Sequence, residues 1–98
     1  MSLPLVFHPE VRGEIHDAYV WYDSQRTGLG EEFLTEVQVV LGRIRQNPEL
    51  HAMRYRDVRR ALLKRFSYAV YYRVEQGRIS VIAVHHGQRD PKRWQSRA

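Results

Sequence analysis

The chain has 98 residues, 43% hydrophobic and 28% charged, with no cysteine and a net charge of +5. That size and balance support one globular domain over residues 1–98, and the missing thiols exclude disulfide scaffolds, Cys-ligated zinc, iron–sulfur clusters and cysteine nucleophiles. Charge is divided unevenly: residues 1–53 carry four Arg against eight acids, a net −4, whereas residues 54–98 carry twelve Lys or Arg against three acids, a net +9, which points to an anionic partner for the second half.

Leu5-Val6-Phe7 reads as a first strand ended by His8-Pro9. Pro9 suits the first position of a helix, where its missing N–H is not needed, and Glu10 suits the electropositive first turn. Val11, Ile15, Ala18, Tyr19 and Tyr22 recur with the helical period across residues 10–23. Ser24 to Gly30 breaks that pattern with two glycines. A second helix over 31–46 opens on Glu31 and Glu32, carries Phe33, Val37, Val40, Leu41 and Ile44 on its apolar face, and stops at Asn47-Pro48. Val11, Ile15, Tyr19, Phe33, Val37 and Ile44 are expected to face a sheet, and Leu50 to Arg56 reads as a loop. Val58 to Phe66 alternates with period two, which puts Arg60 and Lys64 on one face and Arg59 and Arg65 on the other. Tyr68 to Val74 is rich in aromatic and β-branched residues, Gln76-Gly77 is a tight turn, and Arg78 to His86 is a strand whose centre, Val81 to Val84, reads as buried on both faces. Asp90-Pro91 then caps a short helical turn through Trp94. The order β-α-α-β-β-β with a short helical tail is an α+β domain, a helical hairpin on one face of a largely antiparallel sheet.

The residues able to do chemistry lie mostly in the basic half. His86 is a candidate for acid–base work because an imidazole can both take and give a proton; its structural reading is a hydrogen bond to the Arg89-Asp90 turn at the end of a strand. His85 faces the other way, so the two histidines cannot share one metal ion, and His8, His16 and His51 are scattered; no metal site is expected. Arg60, Lys64 and Arg73 are either a solvated face or a dock for an acidic segment. Tyr68, Tyr71, Tyr72 and Trp94 are either a base-stacking platform or core, and core is favoured, with Trp94 anchoring the tail by burying its ring. Arg89 and Asp90 are expected to form a local ion pair and cap. Met1 to Pro9 has no basic stretch leading into an apolar one, and Ile79 to Val84 is too short to span a bilayer, so no secretory signal and no membrane association are expected.

The stretch Arg60 to Val74, RALLKRFSYAVYYRV, resembles the central strands of the RelE/ParE toxin superfamily, and His86 to Trp94, HHGQRDPKRW without its first His, is similar to the ending of its ParE-like members. The resemblance covers nearly the whole chain; Ser67 stands where the family often has Pro, and Gln88 where a second basic residue is frequent. It implies a toxin of a two-gene type II toxin–antitoxin module of a bacterium or archaeon, held inactive by an antitoxin whose flexible segment wraps it. RelE-like members cut messenger RNA on the ribosome, whereas studied ParE members inhibit DNA gyrase, and the shared fold does not choose between them. A metal-independent nuclease would draw on Lys64, Arg65, Arg73, His86 and Arg89 for its base, acid and cations. No Tyr follows Tyr72, so the C-terminal Tyr of RelE-like toxins is absent. That absence and the Asp90-Pro91…Trp94 ending favour the ParE-like reading: a cytoplasmic protein without cofactor that binds gyrase, with Arg60, Lys64, Arg73, Arg89 and Trp94 contacting antitoxin or target. A homodimer stays open. A small nucleic-acid-binding module outside the toxins has only the charge in its favour.

Overall fold

The computed structural model describes residues 3–98. Its elements are β1 (Leu5–Phe7), α1 (Val11–Gln25), α2 (Leu29–Gln46), β2 (Met53–Tyr55), β3 (Val58–Leu62), β4 (Tyr68–Glu75), β5 (Arg78–His86) and α3 (Lys92–Gln95). The strands form one sheet in the order β1-β5-β4-β3-β2, parallel between β1 and β5 and antiparallel elsewhere. The α+β hairpin-on-sheet architecture is therefore the one the residue pattern implies.

The helical hairpin forms where the apolar stripes say it should. Phe33, Val37, Val40 and Ile44 of α2 are buried with Val11 and Ala18 of α1 against Val70, Tyr72, Ile79, Val81 and Val84 of the sheet. Burial of side chains of this size contributes roughly 1.5–3 kcal/mol each before the entropy of ordering. Tyr19 departs from expectation: it packs across α1 onto α2 rather than onto the sheet. At Gly30 an added Cβ would lie 2.8 Å from the Tyr19 ring and 2.8 Å from its carbonyl oxygen, so only glycine allows this close approach. The Asp23 carboxylate ties the connection by accepting the Gly28 and Gly30 N–H groups at 3.0 and 3.2 Å, and Gly28 takes φ 93°, where glycine is favoured. The opposite face of the sheet holds a smaller core of Val58, Ala69, Tyr71, Ile82 and Ala83 under Trp94 of α3. Val81 to Val84 is buried on both faces, as its unbroken apolar run implies.

Beyond shifts of one or two residues at the helix ends, two boundaries differ from the sequence reading. The presumed loop Leu50–Arg56 contains β2, which pairs with β3 through Met53↔Arg59 and Tyr55↔Val58. Its turn, Arg56-Asp57, lacks the usual glycine; Arg56 itself takes φ 53° with its guanidinium 5.1 Å from the centre of the Tyr55 ring. The strand from Val58 ends at Leu62 instead of reaching Phe66. Leu63 and Phe66 are both buried in the helix-side core, a spacing of three that no strand supplies, and the chain turns back so that the Leu63 N–H donates to the Tyr68 carbonyl at 3.0 Å.

Candidate partner-binding surface

The end of β3 decides where the basic residues go. Arg60 is paired with Tyr71 in the ladder and lies on the sheet face away from the hairpin, partly exposed. Arg73 shares that face, but its guanidinium is held by both oxygens of Asp57, at 2.8 and 3.0 Å from one nitrogen. Leu62, 61% exposed, extends this face past its core. Lys64 does not join Arg60 as period-two alternation implied. Beyond Leu62 the chain is no longer a strand, and Lys64 lines a groove of about 380 Å³ against α2, with Glu36, Val39, Arg43 and Arg65 among its walls. There Glu36 accepts the Arg65 N–H, and Arg65 bonds Glu32 at 3.1 Å. Hydrogen bonds from Arg26 and Arg65 hold the Glu32 carboxyl below its usual range. Arg59 packs under the other face, donating to the Glu49 and His51 carbonyls at 3.0 and 2.7 Å.

His86 ends β5 on the helix side, opposite Tyr68. Its Nδ1 accepts the Gln88 N–H at 3.1 Å, and its carbonyl accepts the Arg89 N–H at 3.0 Å. The ring of His86 thus holds the turn through Gln88 and not through Arg89-Asp90 as expected, and this contact leaves the proton of the neutral ring on Nε2. Arg89 is exposed. The expected Arg89–Asp90 ion pair does not form; Asp90 instead accepts the Lys92 N–H at 3.0 Å and opens α3. Trp94 is 5% exposed and stacks on Tyr71 at 4.3 Å and 19°, so its ring anchors the tail and is not available to a partner while α3 is docked.

The five residues of the nuclease reading therefore do not converge. Lys64 and Arg65 border the α2 groove, while His86 ends β5 and Arg89 lies in the turn after it. Arg73 is five residues along β4 from the partner of His86, about 17 Å away at 3.4 Å per residue. Among the described residues no group of three His, Asp or Glu is placed to hold a metal ion, and no helix is long and apolar enough to cross a membrane.

One polar cluster escaped the sequence. The β1 strand covers the edge of β5 only as far as Val81. Past it, Glu14 of α1 closes the edge: Oε1 accepts the Val84 N–H at 3.0 Å, while Oε2 takes His85 Nε2 at 2.6 Å and Arg97 at 2.8 Å. Arg97 also donates to the Ile82 carbonyl at 2.8 Å. Burial pushes the Glu14 carboxyl up, but the hydrogen bonds from His85, Arg97 and the Val84 amide outweigh it and bring the pKa down to about 2. His85 is wholly buried and its Nδ1 has no hydrogen-bond partner. The sequence does carry a signal for Glu14: it lies three residues after Val11 and four before Ala18, an acid on the buried stripe of α1.

The family described as the ParE toxin of the type II toxin–antitoxin system parDE matches residues 5–91. The chain belongs to the ParE toxin family. It is 29% identical over 92 residues to Toxin ParE2 of Mycobacterium tuberculosis, a match covering 93% of this chain and 88% of that one. Its fold is like that of a solved chain from the chromosomal ParDE TA system of P. aeruginosa, with TM-score 0.65, 15% identity, and 87% and 96% of the two chains covered. As a ParE-type toxin of a type II system, the chain has an antitoxin as its implied partner.

Proposed function

We propose that the chain is a cytoplasmic toxin that acts by binding and inhibiting DNA gyrase, and that a cognate antitoxin neutralises it by covering the basic half. The observation that carries this reading is the separation of Lys64 and Arg65, Arg73, and His86 and Arg89 into three places, with Arg73 held by Asp57. General acid–base chemistry needs its groups within hydrogen-bond reach of one another or of one substrate, whereas a binding surface tolerates dispersed charges. Arg60 and the exposed Leu62 on the sheet face away from the hairpin, with Lys64 in the β3–β4 loop, suit a partner segment that alternates acidic and apolar residues. Opposite charge speeds the encounter and apolar contacts slow dissociation. The test is to incubate the purified chain in parallel with DNA gyrase and with translating ribosomes. Inhibition of supercoiling with intact messenger RNA is the expected result. Cleaved messenger RNA with unimpaired gyrase is the outcome that favours the ribosome-dependent endonuclease instead.

A further inference from the structure

A cleft of about 360 Å³ opens between the end of α1, the β3–β4 loop and the end of β5, lined by Trp21, Tyr22, Ser67, Tyr68 and His86. Trp21 is 58% exposed, a large indole left in water in a chain whose other tryptophan is buried. Single exposed apolar residues are ordinary; this one forms the wall of a cleft whose remaining lining is polar at its tips. The rings meet edge-on, Trp21 with Tyr22 at 83° and Tyr68 with His86 at 84°. Ring edges carry the positive side of the aromatic quadrupole. Burial raises the pKa of both Tyr22 and Tyr68, so both remain phenol O–H donors at ordinary pH. The Gln88 N–H on Nδ1 leaves His86 a donor at Nε2. Arg89 and Asp17, both outside that lining, are near enough to act electrostatically on the Tyr68 hydroxyl.

We propose that this cleft is a docking pocket for an apolar residue next to an acidic one in a partner polypeptide. The apolar side chain packs on Trp21, and the carboxylate takes His86 and Arg89. The occupant follows from complementarity. The lining offers hydrogen-bond donors, which suit an oxygen acceptor, and the half of the chain that supplies Tyr68, His86 and Arg89 carries a net +9. A nucleobase fits less well, because it stacks on a ring face and gains most between parallel faces, whereas these neighbours are nearly perpendicular. The proposal rests on the toxin–antitoxin reading, with the antitoxin as the partner polypeptide.

The test titrates the full-length chain with its full-length antitoxin while following tryptophan emission. Trp94 is buried and stacked on Tyr71, so a change on binding reports Trp21. The expected result is a blue shift when the wild type binds and, with affinities read by isothermal titration calorimetry because Trp21→Ala removes the reporter, a loss of about tenfold or more for Trp21→Ala and about threefold for His86→Gln, with melting temperatures near wild type. Unchanged affinity in both folded variants, while the wild type binds, overturns the cleft and leaves the toxin–antitoxin reading standing. A wild-type chain that does not bind antitoxin overturns both. A single-stranded oligonucleotide that quenches Trp21 and competes with antitoxin overturns the peptide occupant in favour of a nucleic acid.

Discussion

His85 and His86 are neighbours in β5, yet they belong to regions with opposite characters. His85 lies in a seam where α1, the open edge of β5 and the C-terminal tail meet on one carboxylate. The charges of the seam are answered inside the protein, Glu14 by Arg97, and the Val84 N–H by Glu14, while the Nδ1 of His85 alone is left without a partner in this cluster. His86 lies at the mouth of an aromatic cleft whose donors face outward, next to an exposed Arg89. The seam has the polar chemistry usually associated with an active site, a carboxylate, an imidazole and a guanidinium within hydrogen-bond reach, but its carboxylate is about nine-tenths buried and spent on closing a strand edge, at the floor of a polar hollow that Arg89 and Arg93 also line. The cleft has weaker electrostatics and an open face. Perturbed titration alone would pick the wrong region, because structural ion pairs shift pKa values as strongly as functional ones do.

Substitutions can break this contrast. The largest effect is expected for Glu14→Ala, which leaves Arg97 without its counter-charge and the Val84 N–H without an acceptor. Removing one partner of a buried pair typically costs about 3–5 kcal/mol, measurable by urea unfolding. A loss below about 1 kcal/mol would mean that the seam is solvated and that the contrast fails. Acid titration sharpens the same point. The folded carboxyl of Glu14, at about 2, is depressed below its ordinary 4.5, so its contribution is complete above about pH 4.5 and is lost as pH falls toward 2. Over that window the wild type should lose about 3 kcal/mol more than Glu14→Gln, whose side chain does not titrate. Gly30→Ala drives a methyl group into Tyr19 between the two helices and should cost about 1–3 kcal/mol. The smallest effect belongs to the cleft: His86→Gln should change stability by less than about 0.5 kcal/mol, since the side chain is partly exposed and its one hydrogen bond is local. Equal costs for Glu14→Ala and His86→Gln would erase the distinction between the two regions.

Much of the fold was legible because the relevant signals are local. The stripes of α1 and α2, the Asn47-Pro48 stop and the apolar centre of β5 act within a few residues and appear where expected. What was not legible depends on contacts distant in sequence. β2 exists because β3 pairs with it across a turn without glycine, and three residues have too little pattern to announce a strand. A shift of register opposite Tyr71 and Tyr72 places Ile82 and Ala83 in the same core, which simple alternation would separate. Lys64 left the face of Arg60 because Leu63 and Phe66 found the helix-side core. The seam joins Glu14 to residues 70 and more positions away, beyond the reach of any periodicity. Trp21 lies outside the apolar stripe of α1, and only the docking of α1 on the sheet brings it to the cleft with His86.

The central claim is that this toxin acts by occupying its target rather than by turnover, and the stoichiometry of gyrase inhibition tests it most directly. Purified chain is added in increments to a fixed amount of DNA gyrase, and supercoiling is measured after each addition and again after excess antitoxin. The account predicts activity that falls in proportion to the chain added, reaches a plateau at a fixed ratio independent of incubation time, and returns when antitoxin is supplied. Gyrase that keeps full activity at a molar excess of chain, with messenger RNA on ribosomes lost progressively at catalytic amounts, would contradict it.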